Sequence, residues 1–236
     1  MHGGESRRFL FLTDFDFEYT DCSGVSNIAP TITATKRNIQ TVLQGAMEQL
    51  KRGDKCLIYY GGHVNVERPS DFPVEPRAYI VTTNEERIYD QELRRWLMES
   101  QSPQSTIIAV FDAANSGGFL GLPYTYEKQK KADAESLMLP TELMTSQVIE
   151  ISSTRKNQPS FSGYFGTDAR VPHGCLTWFL LQYLKAHSQV DLSDLVSYLY
   201  AKCESTGPGL RSHEQGQTQL PLLSSSRKLS GKFALF

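Results

Sequence analysis

Two short apolar segments of the chain each end in residues that could take part in acid–base or nucleophilic chemistry. The first segment is Cys56–Tyr60, which is followed by two glycines and then by His63. The second segment is Ile107–Phe111, which is followed by Asp112 and then by a run of small residues. An imidazole works as a general base only when the fold holds it within hydrogen-bonding reach of its partner. The chemistry therefore depends on whether these two segments are neighbours.

Both segments are typical of strands buried in a parallel sheet, because their apolar runs are nearly continuous. The carboxyl ends of such strands meet at one edge of the sheet, where ligands bind in α/β proteins. This arrangement predicts that His63 lies beside Ala114, at a separation of 114 − 63 = 51 residues. The separation matches the spacing of histidine and nucleophilic cysteine in caspase-type enzymes. The expected geometry is that of a Cys/His dyad in which alanine stands at the nucleophile position.

The residues around these positions resemble the two signatures of the metacaspases, the caspase-like cysteine endopeptidases of protists, fungi and plants. In that family Tyr-Ser-Gly-His-Gly follows one strand and Asp-x-Cys-His-Ser-Gly follows the next. Residues 60–64 are similar to the first signature, with Gly61 in the position of the serine. Residues 112–117 are similar to the second, with Ala114 in the position of the cysteine, and residues 122–124 match a Leu-Pro-Tyr of type I members.

The resemblance runs from about Phe9 to Phe236 in the order of the family. Further similar segments are Leu12–Asp14, Thr35–Ile39, Ser152–Ser160 and Gln219–Ser226. The resemblance implies a three-layer, caspase-like α/β fold with a mostly parallel central sheet and helices on both faces, in a single domain over residues 1–236. The first strand and helix of the family have no counterpart here. We therefore expect either a chain truncated at its N-terminus or another segment in the place of the missing first strand.

The resemblance also identifies the positions that receive a basic substrate side chain in metacaspases. Asp112 and Gly61 are remnants of this pocket, and Thr154 and Lys156 stand where the family has a cysteine and an aspartate. A lysine there would oppose an arginine or lysine of a substrate, because juxtaposed like charges repel. The specificity pocket is therefore expected to have changed sign.

Metacaspases carry acidic calcium-binding residues in the loop that corresponds to residues 64–76. Only Glu67, Asp71 and Glu75 remain in this chain, and they are scattered among three prolines. Calcium requires six to eight oxygen ligands. The calcium sites of the family are therefore predicted to be lost, and no other metal or cofactor is expected.

Composition restricts the classes of function further. The chain has 236 residues, of which 39% are hydrophobic, and its 24 basic and 26 acidic side chains give a net charge of −2. This balance argues against a nucleic-acid or anionic-membrane partner, and no apolar stretch approaches the roughly 18 residues of a membrane span. The four cysteines are widely spaced, which favours reduced structural thiols in the cytoplasm; they are Cys22, Cys56, Cys175 and Cys203.

The pattern of apolar residues predicts the elements that position the two motifs. Helical spacing predicts four helices, of which the first opens at Thr35 and stops before Gly53 and the second begins at Asp90. The other two cover Gly174–Lys185 and Asp191–Lys202. Short apolar runs predict strands at Arg8–Thr13, Lys55–Tyr60, Ala78–Thr82 and Gln147–Ser152.

An alanine methyl group neither attacks a carbonyl carbon nor holds a proton, whereas this chemistry requires a thiolate. The sequence therefore predicts a catalytically inactive pseudopeptidase that binds a protein or peptide segment, for which an active metacaspase is one candidate, near His63, Asp112 and residues 116–118. Three alternatives stay open. The protein is an Arg/Lys-specific cysteine endopeptidase whose nucleophile was mutated to alanine, an enzyme that uses Ser116 as its nucleophile, or a divergent fragment without a function.

Overall fold

The computed structural model describes most of the chain. The described residues are 10–14, 18–20, 24, 26–28, 31–68, 76–98, 104–126, 146–166, 172–206, 218–229 and 232–233. Asp71, Glu75 and Cys22, which the sequence analysis singled out, lie outside these residues.

Fifteen strands and four helices are formed by the described residues. The strands are β1 (Phe11–Thr13), β2 (Glu18–Thr20), β3 (Ser26–Ile28), β4 (Thr31–Thr33), β5 (Lys55–Glu67), β6 (Arg77–Val81), β7 (Arg87–Tyr89), β8 (Thr106–Ala114), β9 (Tyr124–Tyr126), β10 (Gln147–Ser152), β11 (Ser162–Gly163), β12 (His173–Gly174), β13 (Val190–Asp191), β14 (Leu222–Ser225) and β15 (Lys232–Phe233). The helices are α1 (Lys36–Gln49), α2 (Asp90–Met98), α3 (Cys175–Ala186) and α4 (Leu192–Thr206).

Seven of the described strands form the central sheet in the order β7-β6-β5-β8-β10-β14-β9. The three middle strands, β5, β8 and β10, are parallel, and the strands on either side of them are antiparallel to their neighbours. Strand β8 is buried along almost its whole length. It therefore forms the centre of the sheet, as its continuous apolar run predicts.

Helices cover both faces of this sheet, in the three-layer arrangement that the resemblance implies. Alternate residues of a strand point to opposite faces. On one face, Ile107 and Phe111 of β8 share a core cluster with Met47 of α1 and Trp96 of α2. On the other face, Ile108 and Val110 share a second cluster with residues of α3 and α4, among them Leu176, Leu180, Leu195 and Leu199. Layers of this kind exclude water from β8 and hold its carboxyl end in place.

The predicted helices and the predicted strand β10 are confirmed, with small changes at the helix ends. Thr35 caps α1 as expected, because its Oγ1 accepts a hydrogen bond of 3.2 Å from the backbone N–H of Asn38. The helix ends at Gln49, and Gly53, with φ of 86°, lies in the turn that leads to β5. Helix α4 continues to Thr206, four residues beyond its predicted end.

The predicted ends of the two central strands are wrong. We expected β5 to stop at Tyr60 and β8 to stop at Phe111, but β5 reaches Glu67 and β8 reaches Ala114. Parallel pairing continues through Gly61 with Asp112, Gly62 with Ala113 and His63 with Ala114. Small and polar residues remain in the strands here because this ladder satisfies their backbone groups.

Strand β1 does not join the central sheet. It pairs in parallel with β4, and these two strands form a separate sheet. Among the strands that the structure describes, none pairs with Cys56–Tyr60 on the edge of β5 opposite β8. Across the same described segments, no helix has the length and apolar character that a bilayer crossing demands.

Candidate active site

His63 and Ala114 lie opposite each other in the parallel ladder between β5 and β8. The two motifs thus occupy neighbouring positions at one end of the sheet, in the arrangement predicted from their spacing. The side chain at position 114 is a methyl group on a half-buried residue. Position 114, which the sequence analysis assigned to the nucleophile, thus pairs with His63 and carries no nucleophilic group.

His63 is exposed, and its backbone rather than its ring is held in place. The Tyr60 hydroxyl donates to the His63 carbonyl over 3.0 Å and accepts from the His63 N–H over 3.2 Å. No hydrogen bond joins the imidazole to another of the described side chains. Histidine bases of catalytic triads are oriented by a third group on the second ring nitrogen. No such group orients His63 within the part of the chain that the structure describes.

The chain leaves β8 through a turn that begins at Asn115. This residue has φ of 59°, in the left-handed region that asparagine tolerates better than most other side chains. Its Nδ2 donates to the carbonyl of Val64 over 3.2 Å, and its backbone N–H donates to the carbonyl of Gln158 over 3.0 Å. Asn115 therefore links the turn both to β5 and to the loop after β10.

Ser116 follows directly and is fully buried. Its hydroxyl donates to the carbonyl of Phe111 over 3.3 Å, and its backbone N–H donates to Oγ1 of Thr154 over 3.2 Å. A hydroxyl that is buried and bonded to a backbone carbonyl is poorly placed to attack a substrate. This environment argues against Ser116 as a replacement nucleophile.

Asp112 is buried, and three donors converge on its carboxylate. Oδ2 accepts from the backbone N–H of Thr177 over 3.0 Å and from the Thr177 hydroxyl over 2.5 Å. Oδ1 accepts from the Ser160 hydroxyl over 3.2 Å. Thr177 lies in the first turn of α3, where backbone N–H groups lack partners within the helix. Asp112 thus supplies the cap that Gly174, the N-cap residue of α3, cannot supply.

Gly174 is small for a reason that involves the same carboxylate. A Cβ atom at this position would lie 2.0 Å from Oδ2 of Asp112, well inside van der Waals contact. Gly61 pairs with Asp112 across the ladder and is exposed. Two positions without side chains therefore flank Asp112, and the hydroxyls of Thr177 and Ser160 each donate to one of its oxygens.

Thr154 and Lys156, the two other residues predicted for the pocket, differ in their exposure to solvent. Thr154 is fully buried, and its Oγ1 accepts from the N–H of Ser116 and donates to the carbonyl of Ala113 over 3.4 Å. Lys156 is exposed in a turn after β10, and no salt bridge joins it to Asp112 in the described part of the structure. Thr154 therefore supports the turn after β8, and Lys156 contributes positive charge at the surface.

Glu150 is a buried carboxylate beside the candidate site that the sequence analysis missed. Its carboxylate accepts from the backbone N–H groups of Phe119 and Leu120 over 2.9 and 3.0 Å, and from the Ser152 hydroxyl over 2.6 Å. Burial raises the pKa of Glu150, and these donors together with Ser224 offset part of that rise. The position of this glutamate between Ile149 and Ile151 in β10 is the sequence signal that could have identified it. Glu150 ties the turn after β8 to β10.

The acidic and thiol groups of the described residues show no metal site. Glu67 is already engaged by Arg87 at 3.0 Å and by the Tyr89 hydroxyl at 3.0 Å, and no described group of three histidine, cysteine or carboxylate side chains could hold an ion. Cys175 and Cys203 are buried free thiols with their sulfur atoms 3.6 Å apart. The hydrogen bond from Cys175 and burial both raise the pKa of Cys203, and burial raises that of Cys56.

Comparison with known proteins agrees with this geometry. The family model of the metacaspase peptidase C14 domain matches residues 7–123. Metacaspase-1 of Plasmodium falciparum is 27% identical over 177 residues, which cover 72% of this chain and 28% of that protein. Metacaspase-1A of Aspergillus oryzae is 28% identical over 105 residues, which cover 42% of this chain and 25% of that protein. The matched segment spans only 18 to 30% of the length of these curated relatives.

A solved structure shares the fold. The crystal structure of a Geobacter sulfurreducens protein superposes with a TM-score of 0.55 at 15% identity, covering 85% of this chain and 78% of that one. The order of the motifs along the chain, the match to the family model and the three-layer fold lead to one assignment. The chain is a metacaspase-like protein with a caspase-like α/β fold.

Proposed function

We propose that this metacaspase-like protein is a pseudopeptidase, which acts by binding a protein or peptide segment and not by cleaving it. The observation that carries the proposal is the methyl group of Ala114 opposite His63 in the ladder. Peptide cleavage in this fold requires a thiolate that attacks the carbonyl carbon. Removing the nucleophile from a catalytic unit generally lowers the rate by several powers of ten.

The described surroundings of Ala114 supply no substitute for the missing thiol. Ser116 is buried and donates its proton to a backbone carbonyl. Cys175 and Cys203 are buried in α3 and α4. The raised pKa of the Cys203 thiol disfavours its nucleophilic thiolate. These environments support an inactive centre over one that has moved its nucleophile.

The environment of Asp112 supports a loss of the basic-substrate pocket. Its carboxylate is buried and already accepts three hydrogen bonds, which leaves little acceptor capacity for a guanidinium or ammonium group. The exposed positive charge of Lys156 on the neighbouring loop opposes an incoming basic side chain. An Arg- or Lys-directed peptidase would need both features to change.

The same end of the sheet offers an exposed surface for a partner. Gly61, Gly62 and His63 are exposed at the end of the central strands. In this proposal they form part of a surface that binds a polypeptide, such as a segment of an active metacaspase. The proposed location is the cytoplasm, where free thiols such as those of Cys175 and Cys203 persist. The near-neutral balance of charge makes a nucleic-acid or membrane partner a poor fit.

Activity measurements test the catalytic half of the proposal. The unmodified protein, Ala114→Cys, and Ala114→Cys with His63→Ala are incubated with fluorogenic peptides that carry Arg or Lys, with calcium and with a chelator. We expect no product from the unmodified protein. Alkylation of the introduced thiol by iodoacetamide, followed against pH, reports whether His63 lowers its pKa independently of any substrate. Product formed by the unmodified protein would contradict the proposal.

Binding measurements test the other half. An active metacaspase purified from the same cells is titrated into the unmodified protein, His63→Asp and Lys185→Asp, the last being an exposed control position on α3. The proposal predicts binding that His63→Asp weakens and Lys185→Asp does not. Equal binding by all three proteins would exclude the surface around His63.

A further inference from the structure

Two buried thiols meet where α3 packs against α4. Cys175 is the first residue of α3, and Cys203 lies in the last turn of α4. Both are free cysteines, with 1% and 0% of their surfaces exposed. The Cys175 thiol donates a hydrogen bond to the Cys203 sulfur, with the two sulfur atoms 3.6 Å apart. The proposed function gives neither thiol a chemical role.

Packing alone does not require two sulfur atoms at this contact. Cys203 follows Val196 and Leu199 at helical spacing on the buried face of α4, where an ordinary apolar side chain would serve. A thiol is both a weak donor and a weak acceptor, so the hydrogen bond between the two thiols adds little stability. Two cysteines in contact differ from other small apolar pairs in one property, which is that a covalent bond can join them.

The separation of the two sulfur atoms is short enough for this bond. A disulfide has an S–S bond of about 2.05 Å, so the two sulfur atoms must approach by about 1.5 Å from their present 3.6 Å. Rotation about the two Cα–Cβ bonds and small shifts of the helix ends can supply this movement. The bond would close a loop between residues 28 positions apart and so constrain the unfolded chain.

The last turn of α4 controls access to the pair. Exposed residues flank Cys203 on both sides, and the hydroxyls of Ser205 and Thr206 donate to the carbonyl of Lys202 at the end of the helix. Helix ends open locally at a low cost in free energy. The hydrogen bond from Cys175 and burial raise the pKa of Cys203. The Cys203 thiol therefore stays protonated while the turn is closed and reacts when the turn opens.

We propose that Cys175 and Cys203 form a redox site, at which hydrogen peroxide oxidises the pair to an intramolecular disulfide and a dithiol reductant restores the two thiols. One thiolate attacks the O–O bond of the peroxide and becomes a sulfenic acid, and the hydroxide released takes up a proton to form water. The second thiol loses its proton, attacks the sulfenic sulfur and expels a second water. Two thiols and one peroxide thus give one disulfide and two waters, and reduction oxidises the dithiol in turn.

The disulfide joins α4 to the helix end that holds Asp112. Gly174 precedes Cys175 and lies against the Asp112 carboxyl group, and Thr177 donates to that group from the same turn of α3. Oxidation therefore fixes this turn beside the candidate site. Disulfides of cytosolic proteins are usually transient and often sense redox conditions. The redox site does not involve position 114, and it stands whether or not the pseudopeptidase proposal holds.

The test uses the full chain with Cys22→Ala and Cys56→Ala, which leaves 4 − 2 = 2 thiols. The folded, reduced protein is treated with hydrogen peroxide, and the peroxide is then removed with catalase. One aliquot is digested without reductant for mass spectrometry, and another is denatured for thiol titration. We expect linked peptides that contain Cys175 and Cys203, and the loss of both titratable thiols, which dithiothreitol restores. The unmodified protein should give the same linked peptides.

Cys203→Ala in the same background is the matched control, and it should give no linked peptide. Urea unfolding then shows whether the bond fits the fold. The oxidised protein should unfold at a higher urea concentration than the reduced protein, because the cross-link lowers the entropy of the unfolded chain. The proposal would be overturned by a bond that forms only in urea or between two molecules, by sulfinic acids without a linked peptide, by no reaction, or by a lower urea midpoint after oxidation.

Discussion

The Asp112 carboxylate accepts hydrogen bonds from both the backbone N–H and the hydroxyl of Thr177, and so joins the end of β8 to the first turn of α3. In the metacaspases that this chain resembles, the corresponding carboxylate contributes to the pocket for a basic substrate side chain. Here the same position is occupied by a structural contact. Position 112, which the sequence analysis assigned to a substrate pocket, therefore supports the fold in this chain.

Replacing Asp112 by alanine should lower the free energy of unfolding by about 2–3 kcal/mol, because buried donors of Thr177 and Ser160 would lose a charged acceptor. Denaturant unfolding followed by circular dichroism measures this change. Ser160→Ala removes one donor and serves as the milder comparison. A loss smaller than about 0.5 kcal/mol for Asp112→Ala would show that the carboxylate does not cap α3.

Gly174→Ala should destabilise the protein by about 1–3 kcal/mol through overpacking. The three nearest atoms to the added Cβ all belong to the Asp112 carboxyl group, at 2.0 to 3.0 Å. The same substitution in an Asp112→Ala background should therefore be nearly neutral. The free energies of unfolding of the two single variants and the double variant measure the coupling between positions 112 and 174. Additive effects of the two substitutions would contradict the contact.

Gly117→Ala should be strongly destabilising, since its Cβ would lie 2.5 Å from the carbonyl oxygen of Thr154 and 2.7 Å from Cα of Arg155. Both are backbone atoms that a rotamer change cannot move. Gly45, inside α1, is the matched control because nothing lies within 4 Å of an added Cβ. Gly45→Ala should stabilise the protein by about 0.5–1 kcal/mol. Thermal unfolding of the two variants should shift in opposite directions.

Glu150 should make stability depend on pH. Burial, which outweighs the donors from Phe119, Leu120 and Ser152, raises the pKa of Glu150 above its ordinary value of 4.5. The native state then binds a proton more readily than the unfolded state, so the contribution of Glu150 is fully present below about pH 4.5 and is lost as pH rises through the raised pKa. Glutamine does not titrate. The stability of the unmodified protein relative to Glu150→Gln should therefore fall as pH rises above 4.5, and a pH-independent difference would count against this environment.

Much of the fold follows from local patterns in the sequence. Apolar spacing identified α1 and α2, Thr35 marked the start of α1, and the run Gln147–Ser152 gave β10 at its observed bounds. The pairing of His63 with Ala114 could also be predicted from the sequence, because parallel strands align their carboxyl ends. These features depend on residues close together in the chain or on a simple rule of sheet geometry.

The contacts that define the site could not be predicted in the same way. Asp112 meets Thr177 across 65 residues, and Glu150 meets Phe119 across 31 residues. No local pattern encodes these pairs. Gly61 and Asp112 were expected to end their strands, but the ladder between them continues the pairing that composition alone would have stopped.

Turnover by the unmodified protein tests the central claim most directly. Purified protein with alanine at position 114 is mixed with Arg- and Lys-containing fluorogenic peptides over a range of calcium concentrations, and Ala114→Cys is assayed beside it. The account predicts no product above the rate of the peptide in buffer. Product that the unmodified protein forms catalytically, and that His63→Ala abolishes, would contradict it.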